Sequence, residues 1–90
     1  MASVYVIAVY DVGSERTQKM LKIGRRYLTW VQNSVLEGEL TELLLAQMVE
    51  EMRGVMEIPG DSLIVFKNRD ARWLEKDVIG TERGSTDQFL

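Results

Sequence analysis

The chain has 90 residues, no cysteine, no histidine and a formal net charge of −3. That length allows one small domain with a thin core, and chains of this size commonly gain stability by associating. Without Cys or His there is no disulfide, no thiol nucleophile and no imidazole base, so acid–base or metal chemistry must rest on Asp, Glu, Lys or Tyr, and a hard cation such as Mg²⁺ is the expected ion.

The stretch VYVIAVYDVGSER, residues 4–16, opens the pattern. Val4–Tyr10 is β-branched and aromatic without strict alternation, which predicts a central strand buried on both faces. It runs into a single carboxylate, Asp11. Gly13 permits a tight turn, Ser14 suits an N-cap, and Glu15 suits the first turn of a helix running to about Tyr27. On that helix Met20, Leu21, Gly24, Tyr27 and Leu28 share one side, and Arg16, Lys19, Lys22, Arg25 and Arg26 share the other. The segment TWVQNSVLEGEL, residues 29–40, reads as extended chain, either one bent strand or two short ones. Thr41 is placed to cap a second helix with Leu44, Leu45, Met48 and Met52 on its core face and Gly54 as its stop. Pro59–Gly60 marks a turn, Ser62–Phe66 a strand, and Trp73–Ile79 a last strand at a sheet edge.

This order is α+β and ferredoxin-like: βαββαβ with an extra C-terminal strand, forming an antiparallel sheet with two helices on one face. Residues 1–79 make a single domain, and 80–90 a polar tail ordered in a dimer or by a partner. The uncovered sheet face predicts a homodimer formed through the sheet. No apolar run approaches the ~20 residues of a membrane span, and the N-terminus lacks a signal-like pattern; the expectation is a cytoplasmic protein with no membrane contact.

Charge is unevenly distributed. Residues 1–34 hold five basic and two acidic residues (+3), and residues 35–90 hold six basic and twelve acidic residues (−6). An acidic chain with a concentrated basic helix face still suits a polyanion, because local patches set binding. The other reading of that face is a plain solvated surface.

The motifs resemble the CRISPR-associated protein 2 family. They are the apolar first strand ending in Tyr10-Asp11, the Arg/Lys-rich first helix from Arg16 to Arg26, and the block Val31-Gln32-Asn33-Ser34-Val35-Leu36-Glu37-Gly38. Asp61-Ser62-Leu63 also resembles the start of the family's fourth strand. The resemblance covers residues 4–67. It implies a ferredoxin-like homodimer in CRISPR spacer acquisition, partnered by the CRISPR integrase and by duplex DNA or RNA. It also implies a Mg²⁺- or Mn²⁺-dependent endonuclease whose metal ligand and catalytic residue maps onto Asp11. Two positions depart from the pattern of nuclease members: Leu36 stands where an aromatic is frequent, and Trp30 where an Arg is frequent.

Chemistry gives Asp11 two readings. One carboxylate holds Mg²⁺ poorly, since the ion takes six oxygens. If the first strands meet near a dimer axis, two Asp11 side chains face each other, and a divalent ion relieves their repulsion. Alternatively, Asp11 accepts hydrogen bonds from the Gly13–Ser14 turn. Tyr10 reads as a packing residue. Ser34 reads as a turn residue, with no histidine to activate it. Trp30 and Trp73 suit core or interface before base stacking. Glu37 and Glu39 read as solvent-facing strand residues that could add metal oxygens. A small ferredoxin-like binding or regulatory dimer without nuclease activity is the alternative function.

Overall fold

The computed structural model describes residues 2–69 and 75–80. The elements are β1 (Ser3–Asp11), a 3-10 turn (Ser14–Arg16), α1 (Thr17–Gly24), β2 (Thr29–Gln32), β3 (Val35–Thr41), α2 (Glu42–Val55), β4 (Ser62–Asn68) and β5 (Glu75–Gly80). The strands form one antiparallel sheet in the order β2-β3-β1-β4-β5. Helix α1 carries the chain from β1 over β3 to β2, and α2 carries it from β3 over β1 to β4. That is the split βαβ arrangement expected from the element order, with β5 added at the edge. Trp73 and the tail beyond Gly80 lie outside the described residues.

Burial alternates along β1. Val4, Val6, Ala8 and Tyr10 are at most 4% exposed and belong to the helix-side core, while Tyr5, Ile7 and Val9 are only half-buried on the other face. An unbroken apolar run correctly marks two apolar faces, but within one chain the helices cover only one of them. On β4, Leu63 and Val65 join the helix-side core. Ile64 and Phe66 point to the opposite face, where they are 3% and 1% exposed.

The core is closed by Met20, Ile23 and Leu28 around α1 and by Leu45, Met48 and Met52 on α2. Unbranched Met side chains fill the irregular gaps between the helices and the pleated sheet. Leu44, expected on the core face of α2, is 40% exposed, because it lies one residue (about 100°) away from Leu45 around the helix. Thr41 caps α2 as expected: the Leu44 N–H donates to Thr41 Oγ1 at 3.1 Å. Gly54 does not stop the helix. The chain turns extended at Met56, whose N–H still bonds the Met52 carbonyl at 3.1 Å.

Helix α1 is shorter than its apolar spacing suggests. A 3-10 turn precedes it, and Ser14 does not cap it: Gly13 stands at the N-cap of the 3-10 turn and Arg16 at that of α1, neither with a side-chain cap bond. After Gly24 the chain leaves in turns, with Arg26 N–H bonding the Ile23 carbonyl at 3.1 Å and Tyr27 N–H the Gly24 carbonyl at 3.0 Å. Residues 29–40 resolve into two strands joined at Asn33–Ser34, where Asn33 takes a left-handed φ of 46°, which asparagine tolerates. At the far edge Gly80 has φ 98°, and a Cβ there would stand 2.1 Å from the Asp61 carbonyl oxygen. Only glycine lets β5 finish so close to the chain entering β4. No helix is long and apolar enough to cross a membrane among the described residues.

Candidate functional site

Asp11 is the last residue of β1, and it is exposed. Its register partner is Ser62, the first residue of β4, and Ser62 in turn pairs with Gly80. Asp11, Ser62 and Gly80 therefore form one row across three strands at the end of the sheet. Among the described residues no three acidic, His or Cys side chains gather to hold a metal ion. Within this row Asp11 supplies the carboxylate, since its neighbours are a serine and a glycine. Its oxygens suit a hard cation, and a full ligand set needs donors from elsewhere.

Glu37 and Glu39 do not join Asp11. They pair with Ile7 and Tyr5 in the register, and four residues of strand place Glu37 about 13 Å from Asp11. Glu37 accepts from the Tyr5 hydroxyl, and Glu39 accepts from Ser3 Oγ at 3.2 Å. The Glu37 hydrogen bond pushes the Tyr5 phenol above its ordinary value, with burial acting the same way. Tyr10 is 2% exposed, and its hydroxyl finds no hydrogen-bond partner among the described residues. Burial raises its pKa, and Ser34 lies near enough only to soften that shift. It is a packing residue, as its place in the core requires.

The turn after Asp11 is organised by a different acid. Asp61 has a side chain only 5% exposed and accepts four hydrogen bonds. Gly13 N–H donates at 3.0 Å, Arg16 Nε at 2.6 Å, Arg16 Nη2 at 2.9 Å and Glu57 N–H at 2.9 Å. The guanidinium grips the carboxylate with two nitrogens, the strongest form of this pair. Arg16 holds the Asp61 carboxyl far below its ordinary value; burial opposes this, and the two backbone amides reinforce it. Asp61 in turn raises the Arg16 guanidinium further above its ordinary value. Nothing local announced this pair, whose members are 45 positions apart. The only hint was an acid directly after Pro59-Gly60 and before an apolar strand, where a turn needs its amides satisfied.

The basic set divides accordingly. Arg16 faces inward to Asp61 and also pairs with Glu15 and, at 3.1 Å, with Glu57. Arg26 pairs with Glu51, which also accepts from the Tyr27 hydroxyl. That hydroxyl and Arg26 keep Glu51 below its ordinary value. Lys19, Lys22 and Arg25 are exposed and carry no ion pair among the described residues. With Gln18 and Leu21 they line a groove of about 440 Å³ along α1. Their three-residue spacing sets them about 9 Å end to end along the helix axis. Such a stripe can neutralise successive phosphates without reading bases.

Trp30 is 46% exposed on β2, and its indole N–H donates to the Asn33 carbonyl at 2.9 Å. Leu36 is fully buried in the core.

Known proteins share this architecture and sequence. The family model described as CRISPR associated protein Cas2 matches residues 4–76. A protein of Fusobacterium nucleatum named CRISPR-associated endoribonuclease Cas2 is 41% identical over 91 residues, covering 96% of this chain and 86% of its own. One of the same name from Dictyoglomus turgidum is 40% identical over 86 residues, covering 96% and 99%. A solved structure titled "Crystal structure of cas2" superposes with a TM-score of 0.73 at 31% identity, covering 93% of this chain and 92% of that one. The match runs through the strand that ends on Asp11, the basic helix and the strand that follows Asp61, and the chain belongs to the CRISPR-associated protein Cas2 family.

Proposed function

We propose that two copies of this chain join through the sheet face opposite the helices, bind duplex nucleic acid along the outer sides of their α1 helices, and scaffold the CRISPR integrase during spacer acquisition. We propose further that the paired Asp11 carboxylates hold Mg²⁺ or Mn²⁺ for phosphodiester cleavage of RNA or DNA. The observation that carries the binding role is the stripe of Lys19, Lys22 and Arg25, exposed and without ion pairs among the described residues. The relatives' endoribonuclease names support the cleavage role. So does the position of Asp11 on the exposed end of the central strand. A bound ion would polarise the phosphodiester and lower the pKa of a water. The chain's own part is to present the carboxylate and anchor the backbone of the nucleic acid.

Scaffolding is the principal role on this reading. Leu36 is locked in the core, and Trp30 is tied to its own turn, so neither offers a charge or an acid to a phosphate. Asp11→Asn separates the roles, because it keeps the shape and removes the charge that would hold an ion. Wild-type cleavage should require Mg²⁺ or Mn²⁺ and stop with EDTA, and the variant should lose it. Duplex affinity, integrase binding and spacer acquisition should persist in the variant. Acquisition lost in a well-folded Asp11→Asn dimer would make cleavage the principal role. Cleavage persisting at full rate would remove Asp11 from the chemistry.

A further inference from the structure

We infer that Asp61, clamped by Arg16, is a positioning residue that fixes the Asp11 carboxylate for its ion. The inference rests on the reading of Asp11 as a metal ligand. Three links support it.

The first is a short closed ring of chain. Asp11 pairs with Ser62 in the sheet. Two residues past Asp11, the Gly13 N–H donates to Asp61, the residue directly before Ser62. The end of β1 is thus held on both sides, by the strand pair behind it and by the Asp61 carboxylate ahead of it. An exposed strand end otherwise frays, and a ligand on a fraying end loses its fixed direction.

The second link is the grip on Asp61. Its other hydrogen bonds come from both nitrogens of the Arg16 fork and from the Glu57 amide. These leave the carboxylate no freedom to rotate away from Gly13. The third link is the absence of space over Gly13. A Cβ there would stand 2.6 Å from Arg16 Nη2 and 2.8 Å from Glu15 Oε1. The guanidinium lies across the turn, and an added methyl would push its Nη2 aside from the Asp61 oxygen that it holds at 2.9 Å. None of these groups touches the ion on this account. They hold the backbone that carries the ligand, as outer residues do in other metal sites.

The test measures Mn²⁺ uptake by the full-length dimer without nucleic acid, from the electron paramagnetic resonance signal of free Mn²⁺. Cleavage is then titrated against Mg²⁺. Asp61→Asn loses the charge that Arg16 grips, and Gly13→Ala keeps every charge but crowds the turn. Thr41→Ala, which weakens a distant helix cap, controls for lost stability. Asp61→Asn and Gly13→Ala should bind Mn²⁺ about tenfold more weakly or worse and need correspondingly more Mg²⁺. Saturating metal should restore most of their cleavage, duplex affinity should be unchanged, and Thr41→Ala should match the wild type. A folded Gly13→Ala dimer with wild-type Mn²⁺ affinity overturns the inference alone. A wild-type dimer that takes up no Mn²⁺ overturns the Asp11 reading and this inference together.

Discussion

Asp61 keeps its charge in a nearly dry position because two backbone amides and the forked Arg16 replace the water it has lost. That arrangement has a pH signature. The folded-state pKa lies below the ordinary 3.8, so the stabilisation is fully present above that ordinary value and is lost as pH falls towards the folded one. Glu51, also lowered, acts in the same direction. Thermal melts followed by circular dichroism should therefore show a melting temperature that falls steeply below about pH 4. Asp61→Asn should lower the melting temperature at neutral pH by more than the loss of the Thr41 cap does, and should flatten the acid limb. An Asp61→Asn profile parallel to the wild type would show that the pair does not govern acid stability. The place of Asp11 at the end of the first strand was legible in the sequence because an apolar run that stops at a lone acid is a local pattern. Asp61 was not, since its partners Gly13 and Arg16 are 48 and 45 positions away. Arg16 looked like part of the outer basic face by its spacing to Lys19. The residue sits instead in a 3-10 turn, which advances about 120° per residue rather than 100° and turns it off the helical stripe.

Helix α1 has one face built for the core and another that presents cations, and the two can be tested apart. If Lys19, Lys22 and Arg25 of two chains meet phosphates, six cations should give a log-affinity against log-salt slope of roughly −5 on duplex DNA. Changing Lys19 and Lys22 together to Glu should abolish binding at physiological salt, with any residual low-salt slope near roughly −2 and little dependence on sequence. Fluorescence anisotropy with a labelled duplex reads both values. Unchanged binding would return the helix to a plain solvated face. Stability is set on the opposite side of the elements. Met48 is completely buried between α2 and the sheet, and Met48→Ala should cost about 2–5 kcal/mol in urea unfolding. Thr41→Ala should cost about 1 kcal/mol, the usual value of a helix cap. The strands and helices were readable because apolar spacing is repeated along each of them. Their ends were less so: α1 stops early and α2 runs past Gly54 because long-range contacts, not local signals, decide where each chain segment departs.

Seen as a whole, the molecule has one sheet face packed under two helices and another that carries Tyr5, Ile7 and Val9 only half-buried. The strand order was legible because a βαββαβ series leaves few unknotted ways to cover one face. What covers the second face was an inference from its apolar residues, and that inference supports everything proposed for Asp11. Ile7→Glu would set a charge in the middle of this face. It should raise the dimer dissociation constant at least about tenfold, since each unpaired buried charge costs well over 1.4 kcal/mol, without changing the helix-side core. The most direct measurement is sedimentation velocity at micromolar concentration, with and without a short duplex. The chain should sediment at twice its 10.3 kDa mass, carry the duplex with it, and fall to the single-chain mass with Ile7→Glu. A folded wild-type monomer at that concentration would contradict the paired Asp11 site and the dimeric scaffold alike.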